Sequence, residues 1–374
     1  MSTPAITSLA FLTPGNFADD DPYTGLEETL QLFEYGERSG FDGAWIRQRH
    51  LEHGVGSAAV FLAAAGQRTE RIELGTAVIP IGYENPFRLA EDLALADVLS
   101  RGRLQIGFST GMPHAELLGD LVHDGDWRGF DLSYGRIARV VENLRGDYLG
   151  APDTVIHSPG NVQRPRLQPH NPGLAQRIWY GGGSLRSVRW AAQNGLALLS
   201  GNIVTGENTD DFATAQLNLL AEYRRARSGD RPARVALGRV IVPLDSADAA
   251  TRARYRAYAA SRHERTLAPQ GPKRTLFAPD VVGTAEQILE RLTADPVIAE
   301  VSELRLELPY EFHREEYEQI LHDVRHLIAP ELGWRPGTIA ASRRDRPVGQ
   351  GLATGTRIAG TAHAGPSPRV ARGE

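Results

Sequence analysis

Cysteine is absent from this 374-residue chain, which excludes disulfides, thiolate metal sites and a cysteine nucleophile. The absence agrees with a cytoplasmic location, which is the expectation. No run of about 18 apolar residues occurs, so no membrane span is expected. The N-terminal MSTPAITSLAFLTPG lacks a basic segment followed by a long apolar core, and no signal peptide is expected there. A net charge of -5 gives no reason to expect nucleic acid or an anionic membrane as partner. Neither a Walker A sequence nor a G-x-G-x-x-G dinucleotide fingerprint is present, and H-E-x-x-H is missing.

What is present is an alternation of strand-like and helix-like segments. The stretch from Arg71 to Gly111 is the clearest example. Ile72 to Ile79 is a short apolar run rich in branched residues. Asn85 and Pro86 supply an N-cap side chain and a first-turn proline. Leu89, Leu93, Ala96 and Leu99 then share one helical face. Gly102 ends the helix, and Leu104 to Phe108 returns as a strand, so the unit reads as a right-handed βαβ. Gly75, Gly107 and Gly111 lie near the C-terminal strand ends, where glycine signals close approach of a backbone or a ligand.

Counted along the chain, eight strand-like segments alternate with about eight helices before residue 330. The predicted fold is therefore α/β, an eight-stranded (β/α)8 TIM barrel with loop insertions rather than a doubly wound sheet. It should occupy residues 1–334. Residues 112–130 show no regular pattern. Residues 146–176, rich in Pro, Gly, His and Asn, read as an insertion that covers or borders a site. Residues 262–279 read as a lid loop. From 335 to 374 there are seven Arg against two acids among Gly, Pro, Ser and Thr, the composition of a disordered tail.

Three groups of residues could carry chemistry. Gly181-Gly182-Gly183-Ser184 follows a strand and opens a helix, placing backbone N–H groups and the positive helix end around an anion. Ser184 and Ser187 add hydroxyls and Arg186 adds charge. A simple tight turn would use the same residues. The second group, Arg47, Arg49, His50, Glu52 and His53, follows a buried strand. His50 there suits a general acid/base, against the plainer reading of a solvated polar loop. His50 and His53 lack a third ligand at metal-site spacing, so no metal is expected. Third, Gly107-Phe108-Ser109-Thr110-Gly111 spells a nucleophile elbow, but no helix signal follows Ser109 and no triad partner appears.

Taken together these segments resemble the bacterial-luciferase-like flavin oxidoreductases. The resemblance rests on RIELGTAVIPIGYENPFRLAEDLALADVLSRGRLQIGFSTG, RIWYGGGSLRSVRWAAQNGLALLSGNIV, SGFDGAWIRQRHLEHG and VVGTAEQILERL, and runs from about residue 5 to 333. It implies a barrel with FMN, or in one branch a deazaflavin, across the C-terminal strand ends. By resemblance, Gly75, Thr76 and Ala77 would back the flavin ring, with a non-proline cis peptide between Ala77 and Val78. Asn85 would lie near the flavin, and Ser109 and Thr110 would stand where luciferase has a cysteine and a phosphate-binding arginine. Gly182, Gly183, Ser184 and Arg186 would hold the phosphate. Luciferase's paired histidines read Arg49-His50 here, which leaves His50 as the proton donor and Arg49 as a clamp for an anionic substrate or a stabiliser of a flavin peroxide. The implied activity is FMN-dependent monooxygenation of a small organic substrate with O2, with reduced FMN delivered by a separate flavin reductase. Deazaflavin-dependent hydride transfer and a non-catalytic flavin-binding barrel are the alternatives. A homodimer is expected from the family.

Overall fold

The computed structural model describes residues 5–227 and 232–337. Eight parallel strands close into a barrel in chain order: β1 (Ser8–Thr13), β2 (Gly43–Ile46), β3 (Glu73–Pro80), β4 (Leu104–Ser109), β5 (Ile178–Gly181), β6 (Ala197–Ser200), β7 (Val235–Arg239) and β8 (Glu303–Glu307). The last strand pairs in parallel with the first, Ser8 opposite Glu303, which seals the ring. The (β/α)8 barrel expected from the alternation is the fold observed.

Period-2 side-chain alternation divides each strand between two environments. One set, including Leu9, Phe11, Ala44, Ile46, Ile178 and Leu198, points outward into the large core beneath the helices. The other, Ala10, Leu12, Trp45, Trp179, Leu199 and Ala236, points into a narrow lumen. Two tryptophans therefore do much of the filling that branched aliphatics perform in many barrels.

The helices begin where their capping residues dictate. The set comprises α1 (Pro22–Arg38), α2 (Ala58–Arg68), α3 (Pro86–Leu99), α4 (Ala115–His123), α5 (Tyr134–Arg145), α6 (Leu185–Gln193), α7 (Phe212–Ala226), α8 (Ala249–His263), α9 (Ala285–Ala294) and α10 (Arg314–Asp323). Asn85 accepts hydrogen bonds from the N–H groups of Phe87 (3.0 Å) and Arg88 (3.1 Å), and Pro86 follows it at the first turn. Thr284 and Gln287 form a reciprocal capping box at α9, worth roughly 1 kcal/mol.

Three segments differ from the sequence expectation. Residues 115–123, placed in irregular chain, form α4. Its flanks, His114 and Asp124, both adopt left-handed backbone, and it buries only Gly119, leaving Leu117 and Leu121 exposed rather than packed on the core. The mixed apolar pattern from Arg234 to Pro243 predicts a single strand, but the segment divides. Val235–Arg239 stays in the barrel, while Ile241–Pro243 pairs outside it with Val281–Gly283. Residues 281–283 form that partner strand, and α9 starts directly after them behind its Thr284 cap.

Residues 146–176 carry a small hairpin, Ile156–Ser158 against Asn161–Gln163. This segment joins the end of α5 to the start of β5, so it lies at the N-terminal, closed end of the barrel. There Asn171 bonds to Asp97, and Asp97 pairs with Arg177 at 2.7 Å. It does not border the open end, because an αβ connection delivers the chain to the start of a strand. Of the expected tail, Arg335 to Gly337 are described, and 338–374 lie outside the described residues.

Candidate functional site

At the C-terminal end of the barrel a cleft of about 750 Å³, partly open to solvent, extends from Leu12 and Trp45 to the Gly181–Gly183 turn. Its floor is shaped by an irregularity in β3. Thr76 pairs with Ile106 and Ile79 with Phe108, so Ala77 and Val78 together face the single residue Gly107. The Ala77–Val78 peptide in this bulge is cis. A side chain at Gly107 would come within 2.4 Å of the Thr76 carbonyl, and one at Gly181 within 3.0 Å of Val78 Cγ1. Both glycines therefore make space for the bulge, which presents Val78 to the cleft. Gly75 has a different reason. A Cβ there would lie 2.1 Å from the Trp45 ring, so this glycine accommodates the lumen tryptophan. Thr76 is fully buried, and its hydroxyl stitches β3 to β4 by donating to the Gly107 carbonyl (3.0 Å) and accepting from the Gly107 N–H (2.9 Å).

One side of the cleft is charged. Arg47 donates to Glu307 Oε2 at 2.7 Å and to the Tyr310 hydroxyl, and Arg49 donates to that same hydroxyl at 2.8 Å. Burial disfavours the Arg47 cation, but Glu307 and Tyr310 outweigh it and hold its pKa above the usual value. Gly201 and Gly238 leave room for the Glu307 carboxylate, whose Oε1 would lie only 2.1 Å from a Cβ at Gly238. Asn202 lines the same cleft and is buried, with its Oδ1 lacking a hydrogen-bond partner among the described residues.

The glycine run meets α6 at the far end. Ser184 and Ser187 cap each other reciprocally. The Leu185 N–H donates to the Glu207 carboxylate at 3.2 Å, so this helix end already attracts an anionic group from within the chain. Arg186 is exposed, 5.9 Å over the Tyr134 ring, beside the group formed by Tyr134, Tyr180 and Trp190. Thr110 Oγ1 lies 3.4 Å from the Tyr180 hydroxyl, and burial, the chief cause, pushes that phenol's pKa up.

Of the residues singled out from sequence, Ala77, Gly182 and Gly183 line the cleft. Thr110, Ser184 and Arg186 gather around the start of α6, and Ser109 ends β4. His50 stands apart, half-buried, 3.2 Å from Gln48 Nε2 and edge-on to Tyr83. Burial holds its pKa below 6.5. Asn85 is exposed with its carbonyl oxygen engaged in capping α3. Arg49 sits on Tyr310 and 3.7 Å from Glu52.

Sequence reasoning missed Val78 as a surface of the cleft, and also Asn202, Arg305 and Glu307. A signal existed for the last two. Glu303, Arg305 and Glu307 alternate with Leu304 and Leu306, but nothing in the pattern says that the charged face turns inward. The described residues contain no cluster of metal-ligating side chains.

The fold has known counterparts. The profile of a family described as luciferase-like monooxygenase matches residues 7–296. Limonene 1,2-monooxygenase of Rhodococcus erythropolis is 34% identical over 188 residues, covering 47% of this chain and 48% of that protein. An F420-dependent glucose-6-phosphate dehydrogenase of Nocardia farcinica is 31% identical over 134 residues, 34% of this chain and 39% of its own. The chain thus spans about half or less of the length of these curated relatives. Among solved structures, monooxygenase RslO1 from Streptomyces bottropensis superposes with a TM-score of 0.64 at 20% identity, covering 87% of this chain and 99% of that one. The oxygenating constituent of 3,6-diketocamphane monooxygenase from Pseudomonas putida, in complex with FMN, gives 0.62 at 15% identity, covering 87% and 98%. At these identities the superpositions speak for the fold.

Proposed function

From the premise that the chain belongs to the luciferase-like monooxygenase family, we propose that it is an FMN-dependent monooxygenase using reduced flavin and O2 to oxygenate a small organic substrate. One observation carries the choice of site. The bulged Val78 forms an apolar shelf at the middle of the cleft, and the anion-attracting start of α6 stands at one end. A flat ring with an anionic tail has that shape. Val78 and Ala77 would support the ring, and Gly182, Gly183, Ser184 and Arg186 would receive the phosphate in place of Glu207. Reduced FMN, when bound, supplies the two electrons with which O2 yields one oxygen atom to the substrate and one to water.

The remaining roles belong to the chain. Arg47, fixed by Glu307 and Tyr310, presents a permanent cation at the polar side of the cleft and would orient a substrate carbonyl or hydroxyl. His50 would act as proton donor at the β2 edge of the mouth from its imidazolium form, which burial disfavours and so makes the readier acid. Arg49 would draw an anionic substrate toward that edge. The segment 262–279 would cover the cleft, because its strand Thr275–Phe277 pairs with Ile203–Thr205 and the Ala278 N–H donates to the Asn202 carbonyl at 2.9 Å. The absence of a nicotinamide fingerprint supports delivery of reduced flavin by a separate reductase. The relative named as the oxygenase component of a flavin-dependent trigonelline monooxygenase is consistent with such a division of labour. A homodimer in the cytoplasm is proposed with it. Among the described residues no helix is long and apolar enough to cross a membrane.

Deazaflavin-dependent hydride transfer is the second reading, favoured by the F420-dependent relatives. Fluorescence titration of the purified chain with FMN and, separately, with deazaflavin distinguishes the two. FMN should bind, and tight binding of deazaflavin alone would reject the monooxygenase. Substrate-dependent O2 uptake with chemically reduced FMN should follow, and its failure across a broad substrate panel would favour a non-catalytic flavin-binding barrel.

A further inference from the structure

A second cleft, of about 900 Å³, opens on the outer side of the barrel between α8 and α9. Its floor is formed by Leu244, Val282 and Gly283, at the end of the two-stranded sheet that Ile241–Pro243 makes with Val281–Gly283. Four of its wall residues, Arg256, Ala259, Ala260 and His263, fall at i, i+3, i+4 and i+7 of α8 and so share one helical face. The two alanines in the middle leave the space, and Arg256 and His263 stand at its ends. The opposite wall brings Gln287 and Arg291, one turn apart on α9. Arg262 also lines the cleft but is bound by Asp280, with its Nε 2.6 Å from Oδ2.

The charges do not balance. Arg256, Arg262 and Arg291 face one carboxylate, Asp280, which is engaged with Arg262. Arg256 and Arg291 take part in no ion pair or side-chain hydrogen bond among the described residues. Two guanidinium groups facing one concave space from separate helices repel each other, and each carries planar donors suited to phosphate or carboxylate oxygens. We propose that this cleft binds a small oxyanion with several negative charges, held between Arg256 and Arg291. Gln287 lies within the same wall, and Arg262 would be shared between the ligand and Asp280. The site is separate from the barrel mouth, so it does not depend on the flavin reading. Both clefts nevertheless abut one short stretch of chain. Ala278 bonds to Asn202 of the first cleft and Asp280 to Arg262 of the second.

The test is calorimetric titration of the full chain with inorganic pyrophosphate and, separately, with citrate, at fixed ionic strength. Runs with and without FMN, and a parallel run on an R186Q variant that removes one charge beside the start of α6, show whether that helix end competes for the anion. At least one of the two anions should bind with one-to-one stoichiometry, and the tighter one identifies phosphate or carboxylate as the end group. The R256Q/R291Q variant should bind it at least tenfold more weakly, while R101Q/R145Q, which loses two charges elsewhere, should bind it as the parent does. All four positions are exposed, so the variants should fold. Absence of binding by both anions at millimolar concentration would overturn the proposal. So would equal weakening in the two double variants, since that reports net charge alone.

Discussion

Two arginines of the barrel interior, Arg305 buried and Arg47 half-buried, sit in opposite electrostatic situations, and β8 supplies the carboxylate for each. Arg305 lies between the two lumen tryptophans, 5.0 Å from the Trp45 ring and 5.7 Å from Trp179, and pairs with Glu303 at 2.8 Å. Burial dominates there and pulls its pKa below the usual value despite the carboxylate. Glu303, by contrast, is held below its usual range, because Arg305 and Arg234 together overcome its own burial. Glu303 is shared with Arg234, whose Nε donates to its Oε1 at 2.8 Å. One anion serves two cations, so each arginine also experiences the other's repulsion. Arg47 has Glu307 and the Tyr310 hydroxyl, and there the partners outweigh burial. The deeper charge is thus a packed component of the lumen, whereas the shallower one is a secured cation facing the cleft. Burial alone does not distinguish a structural charge from a functional one, but the division of partners does.

The largest expected effect breaks the deep pair. E303L leaves Arg305 buried without its carboxylate and should lower stability by about 3–5 kcal/mol, read from urea unfolding. E307Q should cost less stability, since Tyr310 still holds Arg47, while reducing turnover at least tenfold in an oxygenation assay. Equal stability losses in the two variants would erase the contrast between the ends of the barrel. At the start of α6, G183D should abolish FMN binding measured by fluorescence. E207Q, which weakens the internal anion without removing the helix end, should tighten FMN by a few-fold.

The smallest expected effect concerns His50. Its folded-state pKa lies below 6.5, so between the two values the unfolded chain binds more protons and stability rises with pH. The contribution is complete above about 6.5 and is lost as pH falls through that range. An NMR titration of the His50 ring should give a midpoint below 6.5, and H50Q should flatten the acid limb of stability against pH. A midpoint at or above 6.5 would remove the case for a neutral imidazole at the mouth.

The chain's order of strands and helices was legible from local rules. Apolar runs, capping residues such as Asn85 and Thr284, and stops such as Gly102 act within a few residues, so they survive in sequence. Helix α4 escaped because its ends rely on left-handed His114 and Asp124 in place of glycine. The site was legible in part: the glycine turn before α6 and the residues after β2 both arrive at the open end. What tertiary structure alone decided is which face each residue shows and which neighbour it meets. Gly75 serves Trp45, Gly107 serves the Thr76 carbonyl, and the charged face of β8 turns into the lumen. Barrel closure imposes those pairings between residues far apart in the chain, and a strand's alternation reads the same whichever side is in.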